Sequence, residues 1–192
     1  MKKWIYNPFV YIAGARALAI GMVIMIVAAV ILPFNNGHFD GAVDVHFGAK
    51  TTLIRAFCET LISWACLVLA LYGFGLITSE SSVRFIDIAG TTALARAPMI
   101  FLALLGFIAS PPDIDPHKAT LQELMKIALS PGVITEAILS LPILVWTIAL
   151  MHNAFSVSTN LKGGKSVAAF IGGLVVAELV SKIILHYLHN AF

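Results

Sequence analysis

Residues 7–33 read NPFVYIAGARALAIGMVIMIVAAVILP, and this stretch decides the fold class. It carries one charge, Arg16, and as a helix rising about 1.5 Å per residue it is long enough to cross the roughly 30 Å hydrocarbon core of a bilayer. Asn7 before Pro8 reads as a capping residue followed by proline at a tolerated first-turn position, so a helix is expected over about 8–33. Lys2 and Lys3 precede the run as they would in a signal peptide, but no small-x-small cleavage site follows it. The run reads as a retained anchor.

Four more apolar runs follow, at about 53–78, 88–108, 133–157 and 166–188. Composition agrees with them. Of 192 residues, 59% are apolar and 11% charged, against roughly 25% charged in soluble domains, and mean hydropathy is +0.94. So few charges cannot cover a water-soluble globule of this size, which is excluded. The expected architecture is all-α: one transmembrane domain over residues 1–192, a polytopic bundle of five helices whose principal partner is the lipid bilayer. Pro98 and Pro142 fall inside the third and fourth runs and predict kinks, not breaks. Between those runs, Pro111-Pro112-Asp113-Ile114-Asp115-Pro116 leads into 117–130, where Leu121, Leu124, Ile127 and Ala128 keep helical spacing. That spacing predicts a short amphipathic helix lying in the membrane interface.

A net charge of +2 without basic clusters excludes nucleic acid as a partner. Cys58 and Cys66 are eight positions apart in one run, about 12 Å along a helix, and cannot bond to each other. Loop cations set the orientation. Lys2, Lys3, Arg84, Lys162 and Lys165 fall on one side and Lys50, Lys118 and Lys126 on the other, so the amino terminus is expected inside and, after five crossings, the carboxyl terminus outside.

An ionisable group at membrane depth costs a few kcal/mol on insertion scales and demands a partner or a wet cavity. Arg55 and Glu59 in the second run, and Glu178 and Lys182 in the fifth, are each four residues apart and can meet on one helix face. His186 and His189 continue the fifth-helix stripe. These pairs read either as local neutralisation at helix ends or as a polar line feeding an ion path. Glu136 and His152 share the fourth run but lie about 24 Å apart along it, too far to form one site. Glu136 suits the helix dipole near the first turn, and His152 can hydrogen-bond to a neighbouring helix. Small residues at Gly14, Ala17 and Gly21, at Gly73 and Gly75, and at Gly172, Gly173 and Ala177 permit close helix packing.

The loop GHFDGAVDVHFG, residues 37–48, mirrors itself. His38 and Asp40, then Asp44 and His46, alternate with apolar residues, which fits two short strands turning near Gly41-Ala42 with all four polar side chains on one face of a small outer hairpin. Two imidazoles and two carboxylates suit a divalent metal such as zinc, although the spacing matches no established zinc signature, and a solvent-wetted polar face explains the pattern equally well. No phosphate-cradling loop, nucleophile elbow, metalloprotease helix or paired-cysteine site occurs, so no enzyme or organic cofactor is expected.

Three local patterns carry a family likeness: Asn7-Pro8-Phe9; Gly90-Thr91-Thr92-Ala93-Leu94-Ala95-Arg96-Ala97-Pro98; and Val145-Trp146 through Ala154-Phe155-Ser156-Val157-Ser158 to Gly164-Lys165-Ser166-Val167. Together with five closely spaced helices they resemble the YIP (Ypt/Rab-interacting protein) family of integral membrane proteins. In eukaryotes the resemblance implies a Golgi or endoplasmic reticulum protein that contacts prenylated small GTPases through a cytosolic amino-terminal arm. Few residues precede the first run here, which is closer to the short bacterial form and implies a bacterial inner membrane. The resemblance supplies no site residues. Two functions stay open: a membrane-organising or partner-binding bundle, and a small ion, proton or solute transporter or channel, with a second copy of the chain or another membrane protein as the candidate partner.

Overall fold

In hydrocarbon every backbone N–H and C=O must be satisfied within its own segment, and long apolar runs achieve this as helices. The computed structural model describes residues 2–48, 50–109 and 120–189. Among these, five helical stretches are long and apolar enough to cross a bilayer: Gly14–Phe34, Leu53–Thr78, Phe85–Ala109, Pro131–Thr159 and Gly163–Leu188. The protein is an all-α helical bundle of the integral membrane class.

The first crossing starts later than residues 7–33 predict. Helix α1 (Lys2–Tyr6) and a 3-10 turn (Pro8–Val10) precede α2 (Gly14–Ile31), and the Asn7 side chain caps nothing. This leading segment is held by the fourth crossing, because Trp146 Nε1 donates to Ile5 O at 3.1 Å and Asn153 Nδ2 to Tyr6 O at 2.7 Å. Gly14 opens α2 at φ +58°, a left-handed conformation that disfavours a side chain. After α2 a 3-10 turn (Leu32–Phe34) leads to strands β1 (Gly37–His38) and β2 (His46–Phe47), antiparallel with His38 opposite His46.

Helix α3 (Leu53–Thr78) starts where Thr52 Oγ1 accepts from the Arg55 N–H at 3.3 Å. The third crossing is broken, not kinked, at Pro98 into α4 (Phe85–Ala95) and α5 (Met99–Ala109). Proline has no N–H to give Leu94 O, so that carbonyl accepts from Ala97 instead, at 3.0 Å, and the chain tightens through Arg96, Ala97 and Pro98 before resuming. Pro142, by contrast, leaves α7 (Pro131–Thr159) continuous. Between them α6 (Leu121–Ala128) is amphipathic and starts in a Thr120/Glu123 capping box; residues 117–119 of the predicted segment lie outside the described residues. Helix α8 (Gly163–His189) completes the bundle.

Lipid gives helices no hydrophobic reason to associate, so close backbone approach must supply dispersion. On α2, Gly14, Ala17 and Gly21 face α4 at Gly90 and Ala93; a Cβ on Gly21 would overlap the Ala93 backbone and one on Gly90 would overlap Gly14 O. Helices α3 and α8 meet through Leu71 and Phe74 against Gly172 and Gly173. The α4–α5 crossing is the centre of the bundle, 61% of its most apolar 18-residue stretch being buried, whereas the corresponding stretch of α7 is only 11% buried and faces mostly outward.

Candidate functional site

The loop between α2 and α3 does not stand in solvent as a free hairpin. Phe39 and Ala42 are buried within the core, so residues 39–45 dip between the crossings instead of turning tightly at Gly41-Ala42. Apolar alternation therefore serves insertion as much as strand pairing. The pairing itself is only two residue pairs long, Gly37 with Phe47 and His38 with His46, closed by Gly48 N–H donating to Asn36 O at 3.0 Å.

That descent separates the four polar residues expected on one face. His38, wholly buried, places Nδ1 2.9 and 3.1 Å from the two Glu59 carboxylate oxygens, and Arg55 Nε donates to Glu59 Oε1 at 2.8 Å. His46 Nδ1 pairs with Asp40 Oδ2, and its ring stacks on that of His38, centroids 5.0 Å apart. Asp44 leaves the group: it takes Lys182 Nζ at 2.7 Å, and Lys182 also lies 3.4 Å from Glu178, as their spacing predicts. Glu178 in turn accepts the Val43 N–H at 3.2 Å, and its carboxylate occupies the space a side chain at position 41 would need. Of the four residues expected to share one face, His38 and Asp40 come together with Glu59: single donor atoms of these three all lie within 4.8 Å of one another, while Asp44 pairs with Lys182.

Arg96 is the residue that sequence reasoning missed. Present in the sequence only as part of the Gly90–Pro98 pattern, it is 2% exposed in the middle of the third crossing, where Nη1 donates to Ala42 O at 2.9 Å and the guanidinium lies 5.8 Å from the Phe39 ring centroid. Arginine inside an apolar run and two residues before a proline was the available signal. Four carboxylates (Asp40, Asp44, Glu59, Glu178) meet Arg55, Arg96 and Lys182 around the loop, and Lys50 lines the neighbouring cleft.

Burial pushes the Asp40 carboxyl up, but the His46 hydrogen bond and the cations around it outweigh burial and hold it below the ordinary aspartate value. Burial likewise pulls the His46 imidazole down, while the Asp40 hydrogen bond and the charges of Asp40, Asp44 and Glu59 raise it above the ordinary histidine value. An open cleft of about 290 Å³ is lined by Asp40, His46, Arg55, Glu59, Lys182 and His186. A second, of about 260 Å³, shares Arg55 and Glu59 and adds Lys50 and Cys58.

The fourth-run residues do not join the cluster. His152 Nε2 lies 3.4 Å from Ser166 Oγ, its ring edge-on to Phe170 at 5.3 Å, a packing role. Glu136 is half-buried on α7 and lines neither cleft. No family model, curated protein or solved structure matches the chain.

Proposed function

We propose that the chain is a non-enzymatic membrane protein that works by binding, a membrane-organising or partner-binding module of the YIP kind, and that its working end carries the Gly37–Gly48 loop. The observation behind this reading is that a polar loop is drawn into the bundle and tied to three crossings by Glu59, Arg96 and Glu178, with open clefts beside it. Burying ionisable groups costs a few kcal/mol each on insertion scales, and a bundle that needed only stability would close the loop with apolar side chains. Binding is favoured over conduction by the apolar seam of Leu71 and Phe74 against Gly172 and Gly173 beneath the cluster. The loop cations favour placing the loop end outside, and the YIP resemblance in its short form implies a bacterial inner membrane.

A photo-crosslinking residue at His186, exposed at the loop end, should give discrete adducts in cells, and one at Ser81, exposed at the opposite end, should not. Equal labelling at both ends, or no adduct together with unchanged membrane lipid composition in cells lacking the protein, overturns the reading.

Transport is the second reading, favoured by Arg96 buried at a helix break in the central crossing. Proteoliposomes should then move protons or cations faster than empty vesicles, and Glu178→Gln and Lys182→Met should abolish the difference. Flux equal to empty vesicles removes transport.

A further inference from the structure

We infer that the loop-end cluster is a binding site for one divalent first-row transition-metal cation, with His38, Asp40, Glu59 and His46 as its ligands. The inference rests on the reading of the loop end as a binding centre and names what binds there.

First, the donors are the right kind and close together. Metal–ligand distances of about 2.0–2.2 Å require neighbouring donors to lie within roughly 4.4 Å of each other across the ion. Atoms of His38, Asp40 and Glu59 fall within 4.8 Å of one another, a few tenths of an ångström from that limit, and His46 Nδ1 is in contact with Asp40. Two imidazoles with two carboxylates match zinc, iron(II) or manganese(II) better than the all-oxygen sets of calcium and magnesium.

Second, the site is built and not merely assembled on a surface. His38 and Glu59 form its buried floor, with side chains 0% and 4% exposed, whereas Asp40 and His46 form a wall open to the cleft through which an ion would enter. Arg55 Nε fixes the Glu59 carboxylate from behind, the supporting contact that orients a ligating oxygen. Third, the donors already face one another in pairs, Asp40 with His46 and Glu59 with His38. A cation would take the place of the hydrogens these pairs share, each imidazole keeping its remaining proton on Nε2.

The sequence alone proposed a metal but with Asp44 in place of Glu59, and this difference supplies the control. The full chain, stripped of metal and held in detergent, is titrated calorimetrically with ZnCl₂ and separately with MnCl₂, and bound metal is counted by mass spectrometry. One ion per chain is expected, with a saturable heat. Asp40→Asn and His46→Ala lie in the exposed wall and are the variants least disruptive to folding; with His38→Ala they should weaken binding by more than about 100-fold. Asp44→Asn should bind as wild type does. Equal heats for wild type and the wall variants, loss in Asp44→Asn alone, or no saturable heat with either metal overturns the inference. The photo-crosslinking test reads the loop end independently: adducts at His186 without metal binding would remove the cation and keep the working end, and metal binding without adducts would do the reverse.

Discussion

Arg96 concentrates the problem of this fold in one side chain. Its guanidinium is out of reach of water, donates to Ala42 O and covers Phe39, so it pins the loop from below. Arg96→Ala removes a charge-assisted hydrogen bond, a contribution of about 1.5–3 kcal/mol, and leaves a void beneath the loop. A lower melting temperature in detergent and faster proteolysis between Gly37 and Gly48 should both follow; an unchanged melting temperature would mean the loop is held elsewhere. The Asp40–His46 pair carries its own pH signature. Asp40 is depressed below 3.8, so its share of stability is present above that value and is lost as pH falls through its lower folded value. His46 is raised above 6.5, so its share is complete below that value and fades as pH rises through the higher folded one. Amide exchange in the loop should therefore be slowest, after correction for intrinsic rates, between about pH 4 and 6.5, and Asp40→Asn should flatten that profile. Sequence could name Arg55 with Glu59 and Glu178 with Lys182, because four residues along a helix fix two side chains on one face. It could not pair His38 with Glu59, since only the descent of Phe39 and Ala42 into the bundle brings them together.

Helices were legible where length and apolar content alone decide them, and less so where a single carbonyl decides. The spans expected at 53–78 and 166–188 match α3 and α8 closely, because hydrocarbon thickness leaves little choice. Pro98 and Pro142 look alike in sequence, yet one breaks a crossing and the other does not. The difference lies in the Ala97 N–H, which takes over Leu94 O at 3.0 Å and lets the chain tighten, and no pattern of apolar residues encodes that. The small-residue stripes behave unequally in the same way. A Cβ at Gly90 meets Gly14 O and Leu18 N of α2, so Gly90→Ala should separate two helices and destabilise the protein by about 1–3 kcal/mol. Gly73 has nothing within 4 Å of where its Cβ would be, so Gly73→Ala should be neutral or stabilise by up to about 1 kcal/mol through helix propensity. Thermal unfolding of the two variants in one detergent measures the contrast; equal shifts would mean that α2 and α4 are not in tight contact in the membrane.

For the whole molecule, the arrangement of cations converts the fold into a statement about sidedness. Lys162 between α7 and α8, Lys165 in the first turn of α8, Arg84 before α4 and Arg16 at the start of α2 are exposed at the end opposite the loop. At the loop end Lys50, Lys126 and Lys182 are the exposed lysines among the described residues. Lysine and arginine in short connections are retained on the cytoplasmic side, and this distribution supports the proposed placement of the loop end outside. After Cys58 and Cys66 are replaced by alanine, single cysteines at Ser81 and at His186 should react with a membrane-impermeant maleimide from opposite faces. Ser81→Cys should be labelled only in inverted vesicles and His186→Cys only in intact spheroplasts. The reverse assignment would keep five crossings and turn the loop end inward. Labelling of both positions from one side is incompatible with five crossings and would undo the fold, because Ser81 follows two crossings and His186 follows five.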